Sequence, residues 1–218
     1  MMGISNAQKS AYNILTSVLG QVITIVLGVV IPRLVLVNLG SENNGLLSSI
    51  TQVLGYASLL EAGVGLASLQ ALYKPVAEHD ETSVNAIMSA TNLYYKRTGI
   101  AYLLTVIILS AIYPVIIKSS LPYGTITIIV LISGLPGVVN YYFQGKYKIL
   151  LQAEGRTYII TNLATVIGVL TSVGKILLLL LGYGVIAVQS LYLALSLGQF
   201  TRNYTQTTKR GLLTTNKG

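Results

Sequence analysis

Residues 12–37 read YNILTSVLGQVITIVLGVVIPRLVLV, with a single charged side chain, Arg33. Crossing the roughly 30 Å hydrocarbon core of a bilayer takes about 20 mostly apolar helical residues, and this run meets that length. It is too long for the apolar region of a secretory signal, and no small-residue cleavage site follows it, so it is expected to remain as a helix. A polar, turn-rich segment, NLGSENNG at 38–45, closes it. The alternation then repeats. Apolar runs occupy 46–73, 98–117, 123–143, 158–181 and 183–200, the last being the weakest. Barrel strands would be about 10 residues long with alternating polarity, which these runs lack. The expected fold is all-α: a polytopic membrane bundle of about six transmembrane helices. Residues 1–201 form the helical lobe and 202–218 a polar, basic tail.

Composition points the same way. Of 218 residues, 53% are hydrophobic and 9% charged, against about 25% charged in a soluble domain. So few charges cannot cover a globular surface in water. The chain has no Cys, which excludes disulfides and thiolate metal sites. Its net charge of +8 fits either nucleic acid or loops that face anionic lipid, and the position of the charges decides between them. With the N-terminus in the cytoplasm, Lys9, Lys74, Lys96, Arg97, Lys146, Lys148, Arg156, Arg202, Lys209, Arg210 and Lys217 all fall inside, and Lys118 alone falls in an outer loop. The excess follows helix ends at one leaflet. It does not gather on a soluble module, so no nucleic-acid partner is expected. The expected location is the bacterial cytoplasmic membrane, as a multi-pass protein in contact with membrane lipid.

Between Ser83 and Arg97, Val84, Ile87, Met88, Thr91 and Tyr94/Tyr95 recur at helical spacing. This element is expected to extend the third helix past the membrane, with its tyrosines at headgroup level. Tyr12, Tyr73, Tyr123, Tyr141, Tyr142, Tyr158 and Tyr183 sit near span ends, where an aromatic belt would place them. The lone His79 reads as a solvated loop residue.

Several spans carry a polar or small stripe. Ser17, Gln21, Thr24 and Gly28 mark the first; Ser48, Gln52, Gly55 and Ser58 the second. Ser133, Gly137, Asn140 and Gln144 mark the fourth; Thr161, Thr165, Gly168, Ser172 and Lys175 the fifth; Gln189, Tyr192, Ser196 and Gln199 the sixth. Steps of three and four keep such residues on one helix face. Two readings compete. Small residues allow close helix approach, and polar ones bond across helices. Alternatively, the stripes line a shared water-filled cavity, which their number and their Gln and Asn content favour.

Charges within the spans add candidates. Arg33 and Lys175 lie near outer ends and can snorkel or face inward; Lys175 continues its helix's stripe. Glu61, in LLEAGVG at 59–65, falls near the middle of the second run. A carboxylate there must be paired, hydrated or protonated. A direct pair with Arg33 needs a helix break near Gly63 or Gly65. Pro136-Gly137 is the best candidate for a bend. The candidate substrate-binding set is therefore Arg33, Glu61, Lys175, Gln21, Gln52, Asn140 and Gln144. The phosphate-binding loop, GxGxxG, HExxH and GxSxG patterns do not occur. With one His and no Cys, neither catalytic residues nor a cofactor or metal site is expected, and the chain reads as a non-enzyme.

The segment PRLVLVNLGSENNGLL (32–47), then Glu61-x-Gly63-x-Gly65, then YKILLQAEGR (147–156) resemble, in order and spacing, polysaccharide flippases of the multidrug/oligosaccharidyl-lipid/polysaccharide exporter superfamily. The resemblance extends over about residues 10–195. It implies translocation of lipid-pyrophosphate-linked oligosaccharide for cell-surface polysaccharide (capsule, exopolysaccharide or lipopolysaccharide O-antigen) by alternating access around a central cavity. Arg33 matches that family's first-helix Arg, and guanidinium suits phosphate. Lys175 has no counterpart there. Such proteins have two lobes, and this sequence spans roughly the first. The resemblance thus implies a truncated product, or a half-size protein whose cavity is completed by a second lobe or a second copy. A cation-coupled drug exporter of the same superfamily and a nontransporting membrane assembly protein are the alternatives. The first helix lacks the carboxylate cluster that would favour the exporter.

Overall fold

The computed structural model describes the backbone of residues 6–61, 63–117 and 119–209 and the side chains of 14–15, 18–59, 61, 63, 65–117 and 119–198. Lys9, Tyr12, Ser17, Lys118, Gln199 and the basic side chains of the tail lie outside that set. Among the described residues the chain is helical throughout, without strands.

Helix α1 (Asn6–Ala57) holds the first expected span and the first part of the second, joined at Gly40 with φ 85° and ψ 167°. Glycine adopts positive φ without a Cβ penalty. The expected polar loop at 38–45 is therefore a one-residue joint with helix on both sides. Asn38 and Asn43 donate back to the Leu34 and Leu39 carbonyls one turn earlier, which keeps their amides within the helices. A 3₁₀ turn, Ser58–Leu60, leads to α2 (Val64–Ala77). The second span is thus interrupted where Gly63 and Gly65, poor helix formers, follow Glu61. Helix α3 (Glu81–Ile116) runs unbroken from the interfacial element through the third span. Its N-cap is Asp80, whose side chain accepts from the Ser83 amide at 3.1 Å. Helix α4 (Tyr123–Val139) passes through a π-helical turn, Asn140–Gln144, into α5 (Gly145–Ala153). Helices α6 (Thr157–Leu180) and α7 (Val185–Lys209) complete the described chain.

Four stretches are long and apolar enough to cross a bilayer: Val18–Ala57, Glu81–Ile116, Tyr123–Ala153 and Thr157–Leu180. Val185–Gly198 is a shorter apolar helix. Divided at Gly40, the first stretch supplies two runs, and the set then matches the about six read from the sequence.

Connections alternate between two ends of the bundle. At one end the Glu42 carboxylate accepts from the Ser119 hydroxyl and from the amide and hydroxyl of Ser120, tying the Gly40 joint to the α3–α4 loop. Val35, Leu179 and Val188 cluster with Leu39 near the same end, bringing the α6–α7 turn there. The 78–80 and 154–156 turns lie at the other.

Close approach holds α3 against α4 and its continuation. A Cβ on Gly134 would meet Val106 at 2.6 Å, one on Gly137 the Tyr102 ring at 2.5 Å, and one on Gly145 would collide with the Tyr95 ring. Without a hydrophobic drive between helices in lipid, such small-residue contacts supply the association. Outward faces are apolar, as at Val29, Leu104, Val115 and Leu180. That pattern suits a lipid-facing surface.

Candidate functional site

Two cavities among the described residues bring polar side chains together within a partly apolar lining. The larger, about 680 Å³, lies between the first limb of α1 and α6. Gln21, Thr24 and Gly28 line one wall; Thr161, Thr165, Gly168 and Ser172 line the other. These are the polar stripes of the first and fifth spans, facing each other. No atom lies within 4 Å of a Cβ built on Gly28 or Gly168, so the glycines there border open space. At Gly20 the helices do touch, with the Thr165 hydroxyl 2.7 Å from a built Cβ. The cavity thus has a closed and an open portion along one helix pair.

The smaller cavity, about 310 Å³, surrounds the interruption after α1. Glu61, Gly65, Tyr95, Asn140, Lys148 and Gln152 line it, with Leu66, Leu69, Gly145 and Ile149. The Tyr95 hydroxyl donates to Glu61 Oε1 at 2.6 Å. Gly65 makes room for that bond: its Cβ would lie 2.9 Å from the Tyr95 oxygen. Lys148 Nζ donates to Asn140 Oδ1. An interrupted helix leaves backbone carbonyls to be satisfied elsewhere, which membranes tolerate only beside a polar cavity or inside protein. Both interruptions, the 3₁₀ turn and the π turn, meet here.

Depth follows from helix lengths at 1.5 Å per residue. Residues 41–60 cover about 30 Å, residues 95–116 about 33 Å, and residues 123–145 about 35 Å, all measured from the Glu42–Ser120 end. Three separate helices therefore carry Glu61, Tyr95 and Gly145 a length comparable to a hydrocarbon core from that end. This corrects the sequence reading on two points. Glu61 does not sit midway along a continuous second helix; it follows the end of α1 and its 3₁₀ turn. Tyr95 does not join an exposed belt; it is 2% exposed and turned into the bundle. Tyr141 is likewise buried, whereas Tyr73, Tyr123 and Tyr183 are exposed.

The other expected site residues are dispersed. Arg33 is exposed and follows Pro32, which lines the end of the larger cavity. The ion pairs among the described residues are Lys74–Glu78 and Arg156–Glu154, so the helix break does not bring Arg33 to Glu61. Lys175 lies over the Tyr192 ring at 5.2 Å, joining α6 to α7. Gln189 donates to the Ser133 hydroxyl at 2.8 Å, so the fourth and sixth stripes meet in helix packing. Gln144 is buried and Gln52 exposed. Among the described residues no three His, Asp or Glu side chains gather as a metal site would need.

Tyr95, Lys148 and Gln152 complete a site that sequence reading assigned only to Glu61 and Asn140. The signal was present: Asn140, Gln144, Lys148 and Gln152 continue one four-residue spacing past the expected span end. Comparison with known protein families, with curated proteins and with solved structures finds no match.

Proposed function

We propose that the chain is a lobe of a membrane flippase that moves lipid-linked oligosaccharide across the bacterial cytoplasmic membrane. The observation that carries this reading is the facing of two polar stripes, from α1 and α6, across an open groove of about 680 Å³ whose remaining lining is apolar. Polar side chains on adjacent spans could instead be spent on hydrogen bonds across the interface. Here Gln21 and the Gly28–Gly168 faces are left around open space. A hydrophilic headgroup needs such a path, while its lipid tail stays in the bilayer. Arg33, one residue beyond the cavity's Pro32, supplies a guanidinium suited to pyrophosphate. A second lobe or a second copy closes the opposite side.

The test is translocation of a fluorescent lipid-pyrophosphate-oligosaccharide in vesicles holding the purified full chain, read by a membrane-impermeant quencher. Transport faster than in protein-free vesicles is expected. It should slow in Arg33→Ala and in the cavity-filling pair Gly28→Leu with Gly168→Leu. No gain over protein-free vesicles, or wild-type rates in the cavity-filled variant, would overturn the reading in favour of a nontransporting assembly role.

A further inference from the structure

The smaller cavity is distinct from the proposed transport path and has its own chemistry. Its walls carry opposite charges that attract each other across the space without closing into an ion pair. Glu61 and Lys148 face the same space, yet they are not among the ion pairs closed within 4 Å. Glu61 uses Oε1 to accept from Tyr95, and its second oxygen has no hydrogen-bond partner among the described residues. Lys148 spends one N–H on Asn140 and has two more. The Gln152 side-chain amide also lines the cavity without a partner among the described residues. An acceptor stands on one wall and donors on the other.

The geometry points to a zwitterion site: Glu61 receives a primary ammonium, and Lys148 with Gln152 receives a phosphate ester, as in the headgroup of an aminophospholipid. The Tyr95–Glu61 bond fixes the carboxylate's orientation, and the Lys148–Asn140 bond fixes the ammonium of the lysine. A cavity of about 310 Å³ accommodates one such headgroup. An anionic glycerol headgroup would bring no cation to Glu61. A choline headgroup carries a cation without N–H donors, so it cannot form the charge-assisted bond. The ligand can be a membrane lipid or a soluble phosphoethanolamine ester, which share this chemistry.

The test is native mass spectrometry of the purified full chain in detergent with phosphatidylethanolamine, its mono- and dimethyl derivatives, phosphatidylcholine and phosphatidylglycerol. Occupancy should fall stepwise as methyl groups replace N–H donors, and phosphatidylglycerol should bind below phosphatidylethanolamine. Glu61→Gln and Lys148→Gln should each weaken phosphatidylethanolamine about tenfold, the scale of one hydrogen bond to a charged group. Displacement by glycerophosphoethanolamine would assign the site to a soluble ester; its failure would assign it to the anchored lipid. A flat methylation series on the native chain, or equal binding of phosphatidylglycerol, would overturn the proposal. The lipid series needs no variant, so a folding defect cannot mask the result.

Discussion

At the scale of the residue, the bundle depends on side chains that are missing. Gly145 lies against the face of Tyr95, and Gly137 against Tyr102, at distances no Cβ tolerates. Gly145→Ala is expected to cost about 1–3 kcal/mol through overpacking, and to disturb the Tyr95–Glu61 bond as the ring shifts. Gly124→Ala, at a helix start with nothing within 4 Å, should be neutral or slightly stabilising, since alanine favours helix by up to about 1 kcal/mol. Reversible denaturation of the purified chain in mixed micelles checks both. Equal stability of the Gly145 variant and the native chain would mean that α3 and α5 are not in this contact. The sequence pattern put Gly137 on a polar stripe but did not reveal its partner, because helical spacing defines a face and says nothing about what the face meets. The same limit explains Tyr95. Helical spacing marked it as part of one face of α3, but only the packing of α2 and α5 against α3 turns it inward.

At the scale of the element, the runs of apolar residues were legible because lipid imposes one length on each of them. The joints were less legible. Gly40 and its polar neighbours read as a loop, yet Asn38 and Asn43 bond back into the helices and confine the irregularity to one residue. The interruption after Leu60 was foreshadowed by Gly63 and Gly65, although not its depth. The hairpin of α2 and the start of α3 lies beyond the depth of Glu61, and its turn is held by Asp80. Hydrogen bonds from the Ser83 hydroxyl and amide keep the Asp80 carboxyl below its usual range. A depressed folded-state value means that the cap stabilises the hairpin above the ordinary aspartate range. The contribution is lost as pH falls through the lowered value. Amide exchange at the start of α3 should therefore accelerate, relative to the bundle core, on acidification through that window and at neutral pH in Asp80→Ala. Asp80→Asn, which keeps an acceptor, should retain protection and lose the pH response. Unchanged exchange in the alanine variant would show that the cap does not hold the turn.

At the scale of the whole molecule, the alternation of turns divides the chain's surface into two ends with different charge. Lys74, Lys96, Arg97, Lys146, Lys148 and Arg156 lie toward the end that holds the 78–80 and 154–156 turns. The opposite end carries the Glu42–Ser120 latch and the turn at Gly182. Lys and Arg are retained on the cytoplasmic side during insertion, so the basic end, with the smaller cavity, should face the cytoplasm. The chain has no Cys, which makes single-cysteine labelling direct. In sealed right-side-out vesicles, Ser120→Cys and Gly184→Cys should react with an impermeant maleimide at once. His79→Cys and Glu81→Cys should react only after the membrane is opened. The four positions are exposed, so a failure to label reflects sidedness and not burial. Reversed accessibility would place the basic end outside and remove the cytoplasmic leaflet as the source of a headgroup for the Glu61 cavity. Labelling of all four from outside would mean that the helices between them do not cross the membrane, and the depth assigned to Glu61 from three helix lengths would fall with it.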